Sequence, residues 1–439
     1  MTTLREELRD VHPLRQGLGV FVAIGATLPA VAVRLAGGEP EPVLAAFLFG
    51  LAIVGAAFLL SWAAEVAQLD VSAGLAIALL AFIAVLPEYA VSFVFARAGG
   101  NAVQEFGAAC QAPRAPGESA CSLVLANMTG ANRLLIGIGW SLVVFVAWFR
   151  TRGGPHPIRE VKLERSHSVE VCFLAVATIY SLTLPLKSSV TLVDAFVLVT
   201  LFVAYTVRIS RAPAEEPHLV GPARLIGTFR VARRRAAVST LFVFAAVVIL
   251  LCAERFANGL VETGRELGIS EFLLVQWLAP LASEAPELLV AGLYAWRLNT
   301  NAGLGTLVSS KVNQWTLLVG TLPIVFALAS GGPHGLPIDP HTRQELFLTA
   351  AQSFFAVAVL ATLSISTREA IMLFGLFWAQ FVLGAVVPEA AGDIERILVS
   401  VTYLLLGAAI FLRRRELVVP LLRDGFRTPY ARFAEPSEA

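Results

Sequence analysis

Residues 272–296 read FLLVQWLAPLASEAPELLVAGLYAW, an apolar run of bilayer-spanning length that carries Glu284, Pro286 and Glu287 in its middle. About twenty apolar helical residues cross a hydrocarbon core, and a carboxylate at that depth is costly and marks an ion or substrate path. A proline just before it removes one helix hydrogen bond and frees a carbonyl that can turn toward a cation. Residues 81–98, AFIAVLPEYAVSFVFARA, repeat the arrangement with Pro87-Glu88 in the other half of the chain. A kinked helix with a structurally bonded Glu accounts for one such pair. Two pairs, each with a similar segment beside it, read as the two halves of a cation transporter.

The composition agrees. The chain has 439 residues, 57% hydrophobic and 15% charged, with a mean hydropathy of +0.74. A soluble domain cannot bury that much apolar surface, and the apolar residues come in blocks of about twenty. This is a polytopic membrane protein. Its net charge of +1 says nothing about nucleic acid, because the basic residues are confined to a few loops, and no nucleic-acid partner is expected. Apart from Lys162, Lys187 and Lys311 those bases are Arg, which with abundant Ala suggests a bacterial chain of high GC content. Met1–Arg15 carries mixed charge before an apolar stretch too long for a signal-peptide core, so no cleavable signal is expected. Cys172 and Cys252 read as small buried hydrophobes. Cys110 and Cys121 flank a Pro-rich loop and are the pair able to form a disulfide.

About twelve helical spans follow from apolar runs bounded by charges, Gly and Pro. The first six fall at roughly 14–36, 42–67, 71–98, 119–149, 168–186 and 189–209. The second six fall at roughly 237–257, 270–297, 301–329, 346–364, 369–387 and 394–412. With the N-terminus cytoplasmic, the Arg clusters at 150–165, 208–235 and 413–432 all lie inside. Outside there remain little more than Arg114, Lys187, Arg265 and Arg343. Both termini are thus expected in the cytoplasm, and the membrane is expected to be a bacterial inner membrane. The Cys110/Cys121 loop then faces outward, where a disulfide is permitted. The chain divides into a transmembrane half at 1–209, a basic linker at 210–236, a second half at 237–412 and a cytoplasmic tail at 413–439.

The halves resemble each other over about 60–140 and 250–325. Each shows a helix with a buried Pro-Glu followed by a helix with a small, polar midsection. Glu88 falls on an odd-numbered span and Glu287 on an even-numbered one, so the repeats have opposite orientation. The fold expected is all-α, with five plus five core helices in an inverted repeat and one flanking helix at each end. Such a fold sets a substrate site at the bilayer midplane. Ser283 and Glu287 lie four residues apart on one helix face, and Ser310 and Gln314 have the same spacing on the next helix. Hard cations are held by several such oxygens.

The stretches ASEAPELLVAG (282–292) and GTLVSSKVNQWTLLVG (305–320) resemble the alpha-repeat of the sodium/calcium exchanger family, within the calcium/cation antiporter superfamily. That repeat reads roughly G-T-S-x-P-E on one helix and G-N-x-x-G-S-N-x-x-N/D on the next. GRELGISEF (264–272) also looks like the family's entry to the first of these helices. The resemblance implies a secondary antiporter with Glu88 and Glu287 as ion-binding glutamates. Ser283, Glu284, Ser310 and Gln314 fall on its other ligand positions. The first repeat departs from the pattern: Ala84 and Val85 stand where the family has Thr and Ser, and Gly130–Leu135 where it has G-S-N-x-x-N. A shifted register there would instead make Thr129 and Arg133 the counterparts.

Arg133 and Lys311 sit near the middle of their spans and need partners, for which Glu88, Glu284 and Glu287 are the obvious acids. Built-in positive charges of this kind imply fewer bound cations than the family norm, and argue against calcium. The expected activity is exchange of a metal cation, Na+ or Ca2+, for H+ by alternating access. A sodium/calcium exchanger proper and a transport-inactive relative with a charge-locked site are the alternatives. An intramembrane enzyme is disfavoured by the absence of H-E-x-x-H and G-x-S-x-G motifs, and no cofactor is expected. Asp194, Glu389 and Asp393, near predicted interfaces, read as solvated.

Overall fold

The computed structural model describes residues 13–70, 86–113, 118–212, 219–386 and 389–434. Its helices are α1 (Pro13–Leu35), α2 (Pro42–Ala67), α3 (Leu86–Phe106), α4 (Ala120–Thr151), α5 (Ser168–Ser181), α6 (Leu192–Ile209) and α7 (Pro222–Gly227). The second set is α8 (Val231–Leu267), α9 (Glu271–Trp296), α10 (Thr300–Ala329), α11 (Pro340–Leu360), α12 (Thr367–Val386), α13 (Glu389–Arg413) and α14 (Arg415–Phe426). Most of the expected third span, with Ala84 and Val85, lies outside the described residues, as does Arg114.

Eight of these helices are long and apolar enough to cross a membrane: α1, α2, α4, α6, α8, α10, the stretch Arg165–Leu186 that contains α5, and Ile394–Arg413 within α13. The other expected spans coincide with α3, α9, α11 and α12, helices of 20 to 26 residues. Polar groups lower the hydropathy of α9, which carries Glu284 and Glu287, and of α11, which carries Glu345 and Gln352.

The chain forms two compact units, and neither is a sequence half. One comprises 1–95 and 209–287, the other 96–208 and 288–439. In the first unit α2 packs along α8, with α1 and the short α7 against α2. A Cβ on Gly259 of α8 would stand 2.8 Å from the Ala46 nitrogen of α2, so only glycine allows the two backbones this approach. The α8 helix has 37 residues, about 55 Å at 1.5 Å per residue, against a core about 30 Å thick. Its surplus holds the Arg233–Arg235 run, where Arg234 makes a forked pair with Asp70 at 2.7 and 2.8 Å.

In the second unit α11 packs against α13, α4 and α5, while α12 lies on α4. Two short antiparallel strand pairs tie its loops together. β1 (Glu160–Lys162) pairs with β4 (Ser364–Ser366), and β2 (Ser189–Val190) pairs with β3 (Leu336–Pro337). β1 lies between α4 and α5 and β3 between α10 and α11, equivalent places in the two repeats. β2 and β4 are likewise equivalent, so each strand pair is the counterpart of the other.

One expectation changes. Asp194 is not solvated: it is fully buried, accepting hydrogen bonds from Tyr180 Oη at 2.6 Å and the Thr191 N–H at 2.7 Å and pairing with Lys187. An acid in the first turn of α6 meets unbonded backbone N–H groups, and here it serves as their acceptor. Beyond Arg413, α14 packs on α5. Side chains of Glu389 and Asp393 lie outside the described ones. Cys110 and Cys121 are joined in a disulfide with Cα atoms 5.8 Å apart.

Candidate ion site

In the first unit the candidate ligands come from α3 and α9. Glu88 is buried at 3% exposure, with the buried Ser92 one turn further along α3. Pro280 and Pro286 both lie inside α9, and each deletes a backbone donor on the stretch that carries the polar residues. The Ser283 hydroxyl donates to the carbonyls of Ala279 and Pro280, both at 3.2 Å. Ser283 and Glu284 are buried and Glu287 is half-buried. Gln276, which the sequence reading did not single out, is buried on the same helical face, eleven residues before Glu287. A period-3.6 count backward from Glu287 would have found it.

In the second unit the ligands come from α10. Ser310 is buried, and its hydroxyl lacks a hydrogen-bond partner among the described residues. Gln314 is fully buried and opens a π-helical turn, Gln314–Leu318. The first repeat has its own π-helical turn at Leu135–Trp140 of α4. Such turns are rare and collect at functional sites. Aligning their first residues pairs Leu135 with Gln314, Asn132 with Lys311 and Ala131 with Ser310. Aligned so, the α4 counterparts of Ser310 and Gln314 are the apolar Ala131 and Leu135; setting Asn132 against Asn313 instead also matches Gly139 with Gly320 and makes Thr129 and Arg133 the counterparts.

The basic residues have partners the sequence did not foresee. Arg133, 1% exposed, donates to Glu345 of α11 and Gln380 of α12. Glu345 is shared with Arg396 of α13 at 2.9 Å, so the guanidinium belongs to a buried network of four helices. Lys311 donates to the Asn132 carbonyl at 2.5 Å and its side-chain oxygen at 2.7 Å. Glu345 lies more than two hundred residues from Arg133, and no local spacing points to it.

The family profile described as sodium/calcium exchanger protein matches residues 42–210 and 238–386, most of the chain. The chain belongs to that family. It is an integral membrane cation antiporter with the family's inverted-repeat fold. Among solved structures it is similar to an H+/Ca2+ exchanger CAX, at 39% identity over 96% of this chain and 99% of that one, with a TM-score of 0.85. Native YfkE shares the fold at 14% identity over 88% and 100% of the two chains, with a TM-score of 0.57. So does the sodium-calcium exchanger NCX_Mj, at 16% identity over 79% and 99%, with a TM-score of 0.50. A curated relative, the putative antiporter CaxA of Alkalimonas amylolytica, is 28% identical over 93 residues, 21% of this chain and 29% of that relative.

Proposed function

We propose that this family member exchanges Ca2+ for H+, with Glu88 and Glu287 as the carboxylates that carry either the cation or protons. What carries the reading is near-full-length similarity at 39% identity to a protein described as an H+/Ca2+ exchanger. The chemistry of the residues supports it. Ca2+ takes about six to eight oxygens, and Glu88, Glu284, Glu287, Ser283, Ser310 and Gln314 offer carboxylate, hydroxyl and amide oxygens of the right kind. The argument against calcium rested on Arg133 and Lys311 as resident cations. Arg133 pairs with Glu345, shared with Arg396, and Lys311 is bound by both oxygens of Asn132, so each base has partners outside the proposed ligand set.

Alternating access would expose the ligands to one side at a time, proton and cation competing for the same carboxylates. Glu284, next to the kink at Pro286, would complete the α9 side. Both termini would lie in the cytoplasm, with the arginine-rich connections inside. The test is ion flux in proteoliposomes under Na+, K+ or Ca2+ gradients, with a pH-sensitive dye trapped in the lumen. Ca2+-driven proton movement supports the proposal. Ca2+ uptake that needs a Na+ gradient and leaves the dye silent would replace it with sodium coupling. No flux under any gradient would favour a locked, transport-inactive protein.

A further inference from the structure

The α14 helix follows α13 after a single-residue break at Arg414 and leaves it to pack on α5. Its docking is specific. Asp424 accepts a forked pair from Arg165 at 2.6 and 3.0 Å, and Arg208 at the end of α6 donates to the Gly425 carbonyl at 3.1 Å. Cys172 of α5 donates to the Leu421 carbonyl at 3.2 Å, and a Cβ on Gly425 would come within 2.7 Å of the Ser168 carbonyl. The ring of Tyr430, just beyond the helix, stacks over the Arg208 guanidinium at 4.8 Å. The segment is thereby fixed to the ends of α5 and α6 nearest the basic connections.

At helical spacing α14 shows three stripes. Arg414, Val418, Leu421 and Gly425 form the docked one, covered in whole or part. The second is apolar and uncovered: Val419 at 72% exposure, Leu422 at 39% and Phe426 at 41%. The third, Glu416, Arg423 and Arg427, is charged and exposed. Around these lie the exposed Arg413, Arg415 and Arg432. Glu416 is the one exposed acid among the described residues after Arg413, because Asp424 is buried on Arg165.

We propose that α14 lies in the membrane interface and binds anionic phospholipid headgroups. A helix with one face docked on protein, a second apolar and a third arginine-rich meets three environments, and an in-plane position supplies all of them. Continuity with α13 fixes the depth. Leu412, in the last turn of that span, is 73% exposed, and Val419 continues the uncovered apolar surface two helical turns further on. The excess of Arg over acid selects anionic lipid, since a neutral surface satisfies the apolar stripe and leaves the bases without counter-charge. Because the segment also holds the ends of α5 and α6, lipid captured there braces those two helices.

The test places a nitroxide at Val419→Cys or Glu416→Cys in the full-length protein, reconstituted into phosphatidylcholine vesicles with or without phosphatidylglycerol. The unsubstituted chain corrects for label on the buried Cys172 and Cys252. The label at 419 is expected to be reached by oxygen and shielded from a water-soluble nickel complex, with the reverse at 416. Phosphatidylglycerol should deepen the label at 419, and Arg423→Gln with Arg427→Gln should remove that response. Three results overturn the proposal: equal nickel access at both positions; the same depth in both membranes; or dipolar coupling between labels at 419, which would mean that a second copy covers the stripe.

Discussion

The ammonium of Lys311 lies 2.5 Å from the backbone carbonyl of Asn132 and 2.7 Å from its side-chain oxygen. The bond joins α4 and α10. Both residues are buried, Lys311 completely. Lys311→Met leaves two buried oxygens without their donor, at a cost of about 1–3 kcal/mol. Thermal unfolding in detergent should show a lower midpoint. An unchanged midpoint would mean that the contact contributes nothing to stability.

The Arg133 network gives a sharper test, because it separates a structural ion pair from a transport residue. Glu345→Leu takes the shared carboxylate from both Arg133 and Arg396 and should destabilise by about 3–5 kcal/mol. Arg133→Met leaves Glu345 paired with Arg396 and should cost less, and the double substitution should recover only the part of the Glu345→Leu loss that belongs to Arg133. If the single changes instead left stability intact and altered cation affinity, Arg133 would belong to the ion site.

For the carboxylates, Glu88→Gln and Glu287→Gln are each expected to abolish exchange while the protein still inserts and elutes as a single species. Amide for carboxyl keeps the size and removes the charge that the cation and the proton share. Exchange retained in both variants would remove these residues from the mechanism.

The Cys110–Cys121 bond closes a short loop, with a sequence separation of 11. Replacing both by Ser should cost about 2–3 kcal/mol, chiefly by freeing the unfolded chain. The same loss should appear when the wild-type protein is unfolded under reducing conditions. A reductant without effect would show that the bond is not formed in the purified protein.

Acid stability should depend on Asp70. The hydrogen bond from Arg234 holds its carboxyl below the ordinary 3.8, outweighing a burial term that acts the other way. Because the folded value lies under the unfolded one, the contribution is complete above about pH 3.8 and is lost as the pH falls through the folded value. Acid titrations of unfolding for wild type and Asp70→Asn should therefore converge below that pH and separate above it. Parallel curves at every pH would exclude the pair.

By itself the sequence determined the membrane class, the helix order, the inverted repeat and the residues worth testing. These follow from local quantities: the length of an apolar run, a proline beside an acid, a spacing of four on a helix. Only the tertiary structure decided which charges meet. Glu345 and Gln380 reach Arg133 from helices far along the chain, and Asp194 is buried by the acceptor role it takes in the first turn of α6. The docking of α14 likewise required Arg165 and Arg208, remote in sequence, to meet Asp424 and the Gly425 carbonyl. A buried charge constrains the chain to bring it a partner, but the identity of that partner is a property of the packed helices.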